Sequence, residues 1–184
     1  LRKAHRRLCL IHHPDKQGVD VTEEQREAIN VKFLKIQEAF DILNDPKKRR
    51  KYDSIGDFDD SVPSCLKEGH DFFLAFGTVF KRNAKWSEVK PVPDVGDAGT
   101  PYDEVRRFYE FWHSFESWRD LDGKIMEECG EDCFMNLDEA ECREEKRWME
   151  RENSKLRQKF QKVERQRILK LVEVAERHDP RIKA

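Results

Sequence analysis

Three groups of side chains in this 184-residue chain have types and spacings that could carry chemistry. The tripeptide His13-Pro14-Asp15 places an imidazole and a carboxylate on either side of a rigid proline. A row of cations repeats every fourth residue and could bind phosphate groups. Three cysteines could ligate a metal ion or supply a nucleophile: Cys129, Cys133 and Cys142. The elements that position each group decide which of these chemistries the chain can perform.

The three cysteines do not match a familiar metal or catalytic pattern. Their Cys-x3-Cys-x8-Cys spacing is not that of a zinc finger, and the nearest histidine in the sequence is His113. A nucleophilic cysteine needs a paired histidine in a cleft, and the sequence offers no sign of one. We therefore predict surface or core cysteines, no metal site and no cofactor. Five cysteines in all, odd in number and unevenly spaced, favour a reducing intracellular compartment over secretion.

Composition narrows the class of protein further. Charged residues make up 40% of the chain and hydrophobic residues 37%, which suffices for one modest core or two small ones. No apolar run approaches the 18 residues of a membrane span, and no glycine-rich phosphate-binding motif occurs. The net charge of −2 hides segregation: residues 119–145 carry eleven acidic against three basic residues, and residues 146–170 carry ten basic against three acidic residues. Such blocks indicate charged partners.

The tripeptide lies between two predicted helices. Residues 1–12 form a helix whose apolar stripe is Leu1, Ala4, Leu8 and Ile11, and Pro14 ends that helix. A polar loop runs from Asp15 to about Val21. The second helix begins after a capping box of Thr22 and Gln25, ends near Asn44, and has its own stripe: Ile29, Phe33, Ile36, Phe40 and Leu43. We expect the two stripes to face each other and the loop to lie exposed at the tip of the hairpin.

The rest of the chain also predicts helices. A short basic helix follows Asp45-Pro46, and residues 72–80 form a short buried helix. Residues 102–118 have aromatic side chains on two adjacent helical faces, which indicates a mostly buried helix. Residues 119–138 are expected to form an acidic loop. No proline or glycine interrupts residues 138–178, so a helix there could reach roughly 60 Å.

The cations that repeat every fourth residue lie on this last helix. Its cations at 143, 147, 151, 155 and 159 are spaced by four and build one ridge. A solvated helix would neutralise them with acids three or four residues away, but only Glu144–Arg147 and Glu152–Lys155 have suitable spacing in the acid-first sense. Residues 159–170 carry cations with almost no acids around them, so a phosphate backbone is the favoured partner. No aromatic residue is interleaved with the ridge in the manner of single-strand binders.

Residues 1–53 resemble a J domain from its second helix onward. The resemblance rests on Ala4 to Leu8, His12-His13-Pro14-Asp15-Lys16, Phe33, Ile36, Ala39-Phe40, Leu43 and Arg50-Lys51-Tyr52-Asp53. It implies docking on the ATP-bound form of a heat shock protein 70 chaperone and stimulation of its ATPase by His13, Pro14 and Asp15. It assigns electrostatic docking to the basic face of the preceding helix: Arg2, Lys3, Arg6 and Arg7. The first helix of that family is missing from this sequence.

Residues 54–184 resemble the zuotin family. The matching pieces include Phe76-Gly77-Thr78-Val79-Phe80, Pro91-Val92-Pro93, Phe108-Tyr109-Glu110-Phe111-Trp112, Lys146-Arg147 and Asp179-Pro180-Arg181-Ile182-Lys183. The resemblance implies binding to the large ribosomal subunit, including rRNA, near the polypeptide exit. It also implies a heterodimer with an atypical heat shock protein 70 homologue through segments outside this sequence. The resemblance implies Arg147 and Arg151 as the leading ribosome contacts. The charge pattern of the helix adds Arg143, Lys146, Lys155, Lys159 and Lys162 as predicted contacts.

Together these observations predict an all-α protein that is not itself an enzyme. We expect a J-domain helical hairpin at 1–55, a linker and start of the zuotin-homology domain at 56–101, and a helical ribosome-binding part at 102–184 that ends in a long charged helix. The expected function is a ribosome-associated co-chaperone that assists nascent chains in the cytosol, with a possible nuclear pool and no membrane attachment. The alternative is a nucleic-acid or chromatin-associated J-domain scaffold that uses the same basic helix.

Overall fold

A computed structural model describes residues 1–16, 22–130 and 132–183. Within these ranges all regular elements are helices and no strand is present, which confirms the all-α prediction; a single isolated bridge joins Ser87 and Ser117. Residues 17–21, which include most of the predicted polar loop, lie outside the described residues. The chain divides into two compact units, residues 1–56 and 57–184.

The described residues of the first unit form three α-helices. They are α1 (Arg2–His12), α2 (Glu23–Asn44) and α3 (Pro46–Ser54), and a short 3-10 turn at Pro14–Lys16 follows α1. The predicted capping box starts α2: the Thr22 amide donates to the Gln25 side chain at 3.0 Å, and the Gln25 amide donates to the Thr22 hydroxyl at 3.3 Å. Asp45 caps α3 by accepting from two backbone amides, with Pro46 in the first turn.

The two long helices of this unit run antiparallel, but the contact face of α1 differs from the predicted one. His5 stacks on Phe40 with ring centroids 3.9 Å apart, and His13 lies edge-on to Phe33 at 5.3 Å. The α2 stripe is half-buried along its length, as predicted. On α1, however, His5, Cys9 and His12 are half-buried, while the whole predicted stripe is exposed: Leu1, Ala4, Leu8 and Ile11.

The prediction for α1 was wrong because hydropathy ranks histidine as polar. A planar imidazole stacks on a phenyl ring as an aromatic group does, and the small Cys9 leaves room for the helices to approach. The Cys9 thiol also lies 3.2 Å from the His5 ring, so the two side chains satisfy each other on the contact face. The predicted apolar stripe of α1 therefore lies exposed to solvent, beside the face that contacts α2.

The second unit contains α4 (Phe72–Ala84), α5 (Tyr102–His113), α6 (Asp122–Cys129), α7 (Arg143–His178) and the short α8 (Pro180–Lys183). Its main core joins α4, α5 and the C-terminal half of α7, and aromatic rings fill most of it. Phe80 lies against Phe108 and Trp112 with ring centroids 4.8 Å away in each case. The helix predicted near 72–80 is therefore confirmed. The buried aromatic helix predicted at 102–118 is confirmed as far as His113, where α5 ends, so Phe115 and Trp118 lie after the helix.

The stretch expected to be an acidic loop is more ordered than predicted. It contains α6 and a 3-10 turn at Leu137–Glu139, and it forms a second, smaller core from Leu121, Ile125 and Phe134. Leu156 and Phe160 of α7 pack against this cluster. The prediction of a loop was wrong because a few apolar residues among many acids suffice when a neighbouring helix covers them. None of the described helices is both long enough and apolar enough to cross a membrane.

Candidate functional site

The His13-Pro14-Asp15 tripeptide forms a compact turn at the end of α1. His13 has extended backbone angles (φ −66°, ψ 131°) and Pro14 opens the 3-10 turn. The Asp15 backbone amide donates to His13 Nδ1 at 3.2 Å, and His13 Nδ1 lies 3.7 Å from an Asp15 carboxylate oxygen. The imidazole ring rests against Phe33 of α2. The turn is thus held by the hydrogen bond between Asp15 and His13 and by packing of the His13 ring on Phe33 of the neighbouring helix.

The exposure of these side chains suits docking on a partner. The Asp15 side chain is 88% exposed and that of His13 is 42% exposed, so the carboxylate projects into solvent beside a partly anchored ring. A carboxylate in this position can accept hydrogen bonds from a cationic partner without any rearrangement of the turn. The arrangement calls for no proton transfer by either residue.

The cations assigned to the preceding helix are all accessible. Arg2, Lys3, Arg6 and Arg7 are exposed on α1, which contains no acidic residue. No ion pair involves them within the described ranges. Their charge is therefore available to steer an acidic surface toward the adjacent tripeptide.

The basic row on α7 is equally accessible. We use this name for the seven cations predicted as ribosome contacts, all of them exposed: Arg143, Lys146, Arg147, Arg151, Lys155, Lys159 and Lys162. Lys155 pairs with Glu152 at 2.7 Å, and Lys146 approaches Asp138 at 3.8 Å. The other five have no acidic partner among the described residues, and the possible pair of Glu144 with Arg147 does not form there. The row thus keeps most of its charge for an external anion.

Arg167 differs from the other cations of this segment, because it lies in a partly buried network and is not available to a partner. It donates two hydrogen bonds to Glu164, at 2.7 and 2.9 Å, and one to the Asn83 side chain at 2.7 Å. The expectation that Arg167 has almost no acids around it is wrong. Asn83 is 84 positions away in sequence, so local spacing could not reveal this contact.

Asp60 continues the same network. Its carboxylate accepts from Arg119 at 2.7 Å and from Lys124 at 2.8 Å. Burial alone would raise the pKa of Asp60, but the hydrogen bonds from Lys124 and Arg119 outweigh it and hold the pKa below its ordinary value. The ionised carboxylate therefore ties the segment before α4 to Arg119 of the α5–α6 connection and to Lys124 of α6. Arg167 ties that segment and α4 to α7.

A second network fixes the C-terminal end of α7. Asp179 is fully buried, accepts from the Tyr109 hydroxyl at 2.8 Å and pairs with Arg181 at 2.7 Å. Arg181 also donates to the Val95 carbonyl at 2.8 Å. Burial would raise the pKa of Asp179, but bonds from Arg181 and Tyr109 hold it below its ordinary value. Burial, aided by the Asp179 carboxylate, raises the pKa of the Tyr109 hydroxyl, which stays a hydrogen-bond donor.

A third set of contacts joins the acidic stretch to the middle of α7. The buried Asn153 side chain accepts from the Met135 backbone amide at 3.0 Å and donates to its carbonyl at 2.8 Å. Arg157 makes a bidentate ion pair with Asp122 at 2.7 and 2.8 Å. Asn153 was not singled out from the sequence, and an uncharged residue within a strongly charged helix was the only available signal. The cysteines of this stretch form no candidate metal cluster with the histidines and acids of the described residues.

Comparisons with known proteins agree across both units. Residues 71–183 match the family model described as zuotin-like, zuotin homology domain, and residues 1–53 match that of the DnaJ domain. The chain is 40% identical over 184 residues to DnaJ homolog subfamily C member 2 of Homo sapiens, covering all of this chain and 28% of that protein. It is 38% identical over 181 residues to zuotin of Saccharomyces cerevisiae, covering 98% of this chain and 39% of that protein. The chain therefore spans well under half the length of these curated relatives.

Proposed function

The chain belongs to the zuotin-like family, in which a DnaJ domain is joined to a zuotin homology domain, and we propose that it is a ribosome-associated co-chaperone. Its first unit would stimulate the ATPase of a heat shock protein 70 chaperone, and its second unit would bind the large ribosomal subunit near emerging chains. In this role the protein performs no catalysis itself, because the partner hydrolyses ATP. We further propose a cytosolic location and a heterodimer with an atypical heat shock protein 70 homologue.

The observation that carries the chaperone half of the proposal is the exposed, preformed turn at His13-Pro14-Asp15. The turn displays a carboxylate at the end of a helix that carries four accessible cations, so the hairpin offers both signs of charge. Opposite charges on a partner would both steer the encounter and set its orientation. The partner we propose is the ATP-bound chaperone.

The ribosome-binding part of the proposal rests on the cations of α7 that have no acidic partner among the described residues. Five of the seven basic-row cations have no acidic partner within the described ranges, and the helix that bears them is fixed at its middle and its end. Unpaired cations along a rigid helix suit a phosphate backbone, where binding releases condensed counterions.

A single substitution tests the chaperone half. Asp15→Asn should abolish stimulation of the partner ATPase in a single-turnover assay, because the amide cannot pair with a cationic site. Asp41→Asn, which alters another exposed aspartate of the same unit, is the matched control and should stimulate normally. Both variants should keep the wild-type far-UV circular dichroism. Undiminished stimulation by Asp15→Asn would remove the tripeptide from the proposed mechanism.

Co-sedimentation tests the ribosome half. The chain should pellet with purified ribosomes at low salt and be released as salt rises. Equal affinity for free duplex DNA at the same salt would instead favour a nucleic-acid scaffold. The absence of ribosome binding at low salt would refute this half and leave the chaperone half standing.

A further inference from the structure

Trp148 is the one tryptophan of the second unit that is largely open to solvent. Its exposed fraction is 50%, whereas Trp86 and Trp112 are buried and Trp118 is half-buried. All four tryptophans of the chain belong to this unit. Tryptophan is enriched where proteins bind partners, because its indole combines a large apolar face with a polar N–H group.

Helix geometry places Trp148 beside the C-terminal cations of the basic row. At about 100° per residue, its side chain lies within about 20° of Lys155 and Lys159 around the α7 axis, and about 60° from Arg151. The buried Asn153 and Leu171 lie on the opposite side of the helix. The expectation that no aromatic accompanies the row therefore overlooks Trp148, which spacing by four does not include.

We propose that Trp148 stacks on an unpaired nucleobase of ribosomal RNA while Arg147 and Arg151 hold the neighbouring phosphates. This inference rests on the proposed function and adds a non-electrostatic contact to it. A base presents a flat face to an indole whatever its sequence, and only unpaired bases in loops, bulges or ends expose that face. Stacking by Trp148 would therefore make the basic row prefer rRNA loops, bulges or ends over continuous double-stranded rRNA.

The lack of apolar neighbours favours a nucleobase over an apolar protein groove as the occupant. The residues three and four positions from Trp148 are all charged, namely Glu144, Glu145, Arg151 and Glu152, and Lys155 follows two turns after it. A hydrophobic groove would need apolar residues beside the indole, three or four positions away, and charged residues stand there instead. Arg147 and Arg151 have no acidic partner among the described residues, so they can accompany a stacked base to its phosphates.

The salt dependence of binding separates stacking from charge. Trp148→Ala should weaken ribosome binding by roughly 5- to 150-fold, on the scale known for base–aromatic stacking. The slope of log affinity against log salt should stay unchanged, because no phosphate contact is lost. Trp148→Phe should recover much of the affinity. Tyr102→Ala, which removes another exposed aromatic away from α7, is the matched control and should bind as the wild type does.

Crosslinking then identifies what Trp148 touches. Trp148→p-benzoylphenylalanine, irradiated on purified ribosomes, should crosslink to rRNA at a loop or bulge. Crosslinking only to ribosomal protein would overturn the stacking inference and indicate a protein pocket. Wild-type affinity in Trp148→Ala would also overturn it, and salt-sensitive binding in that variant would leave the proposed function intact. Failure of the wild type itself to bind would refute the proposed function rather than the role of Trp148 alone.

Discussion

The salt dependence of ribosome binding gives the sharpest test of the basic row, because the structure limits how many phosphates it can contact. Five of its seven cations lack an acidic partner in the described part of the chain, while Lys155 and Lys146 have acids nearby. Each phosphate contact contributes roughly 0.7 to 0.9 to the slope of log affinity against log salt. Full engagement of five cations therefore predicts a slope of about −3.5 to −4.5.

The perturbation we propose is the double variant Arg147→Gln/Arg151→Gln. It removes two open cations without adding negative charge, so the slope should fall to about −2.1 to −2.7. Between 50 and 200 mM salt, wild-type affinity should fall by roughly 130- to 500-fold and that of the variant by roughly 20- to 40-fold. Charge reversal to Glu at both positions should weaken binding further through repulsion.

The assay is co-sedimentation with purified ribosomes at several salt concentrations, with the unbound fraction quantified. The matched control is Lys67→Gln/Lys81→Gln, which removes two exposed cations of the same unit outside α7. It changes net charge equally and should keep the wild-type slope. A slope that is identical for wild type and Arg147→Gln/Arg151→Gln would refute the reasoning, because it would mean that neither guanidinium displaces a counterion.

Three further outcomes concern the supports of α7. Asp179→Asn should destabilise the second unit by about 3 to 5 kcal/mol, measured by urea unfolding and tryptophan fluorescence, because it leaves Arg181 buried without its anion; a loss below about 1 kcal/mol would contradict this. Since the folded-state pKa of Asp179 is depressed, its stabilisation is complete above about pH 4 and is lost as pH falls through the folded-state pKa, so the stability difference between wild type and variant should shrink steadily as pH is lowered below about 4. Ile125→Ala should cost about 2 to 5 kcal/mol locally and speed amide exchange around Asn153 more than around Leu171; equal acceleration at both would argue against a separate small core.

The parts of the fold that could be predicted from the sequence rest on local signals. The capping box of Thr22 and Gln25 satisfies two backbone amides within one turn, so its residues identify the start of α2 without knowledge of the rest. The long helix α7 follows from the absence of proline and glycine between residues 138 and 178. Its observed start at Arg143 lies five residues after the predicted one, because Cys142 caps it and the preceding residues form a separate turn.

The parts that could not be predicted depend on contacts between distant residues. Glu164 lies three residues before Arg167, so local spacing already offers this cation an acid, but its bonds to Asn83 and to the Asp60 carbonyl depend on packing. The sequence around Ile125 predicts an acidic loop because acidic residues dominate it. The structure shows that apolar side chains of α7 cover Ile125, so the stretch forms a small core. The same holds for the candidate site: the positions of its cations follow from spacing, but which of them stay unpaired depends on long-range packing.

The two halves of α7 differ in burial: the C-terminal half packs in the main core, and the N-terminal end is exposed to solvent. Its C-terminal half lies in the main core through residues such as Leu171 and Ala175, whereas residues 143–148 are exposed except for a half-buried Glu145. Asn153 anchors the N-terminal half of α7 by hydrogen bonds to both polar groups of the Met135 backbone. Cations on a helix fixed in this way lose less freedom on binding than cations on a frayed helix, so more of the electrostatic attraction appears as affinity. We therefore expect Asn153→Ala to weaken ribosome binding in the co-sedimentation assay, although it leaves every cation of the basic row in place.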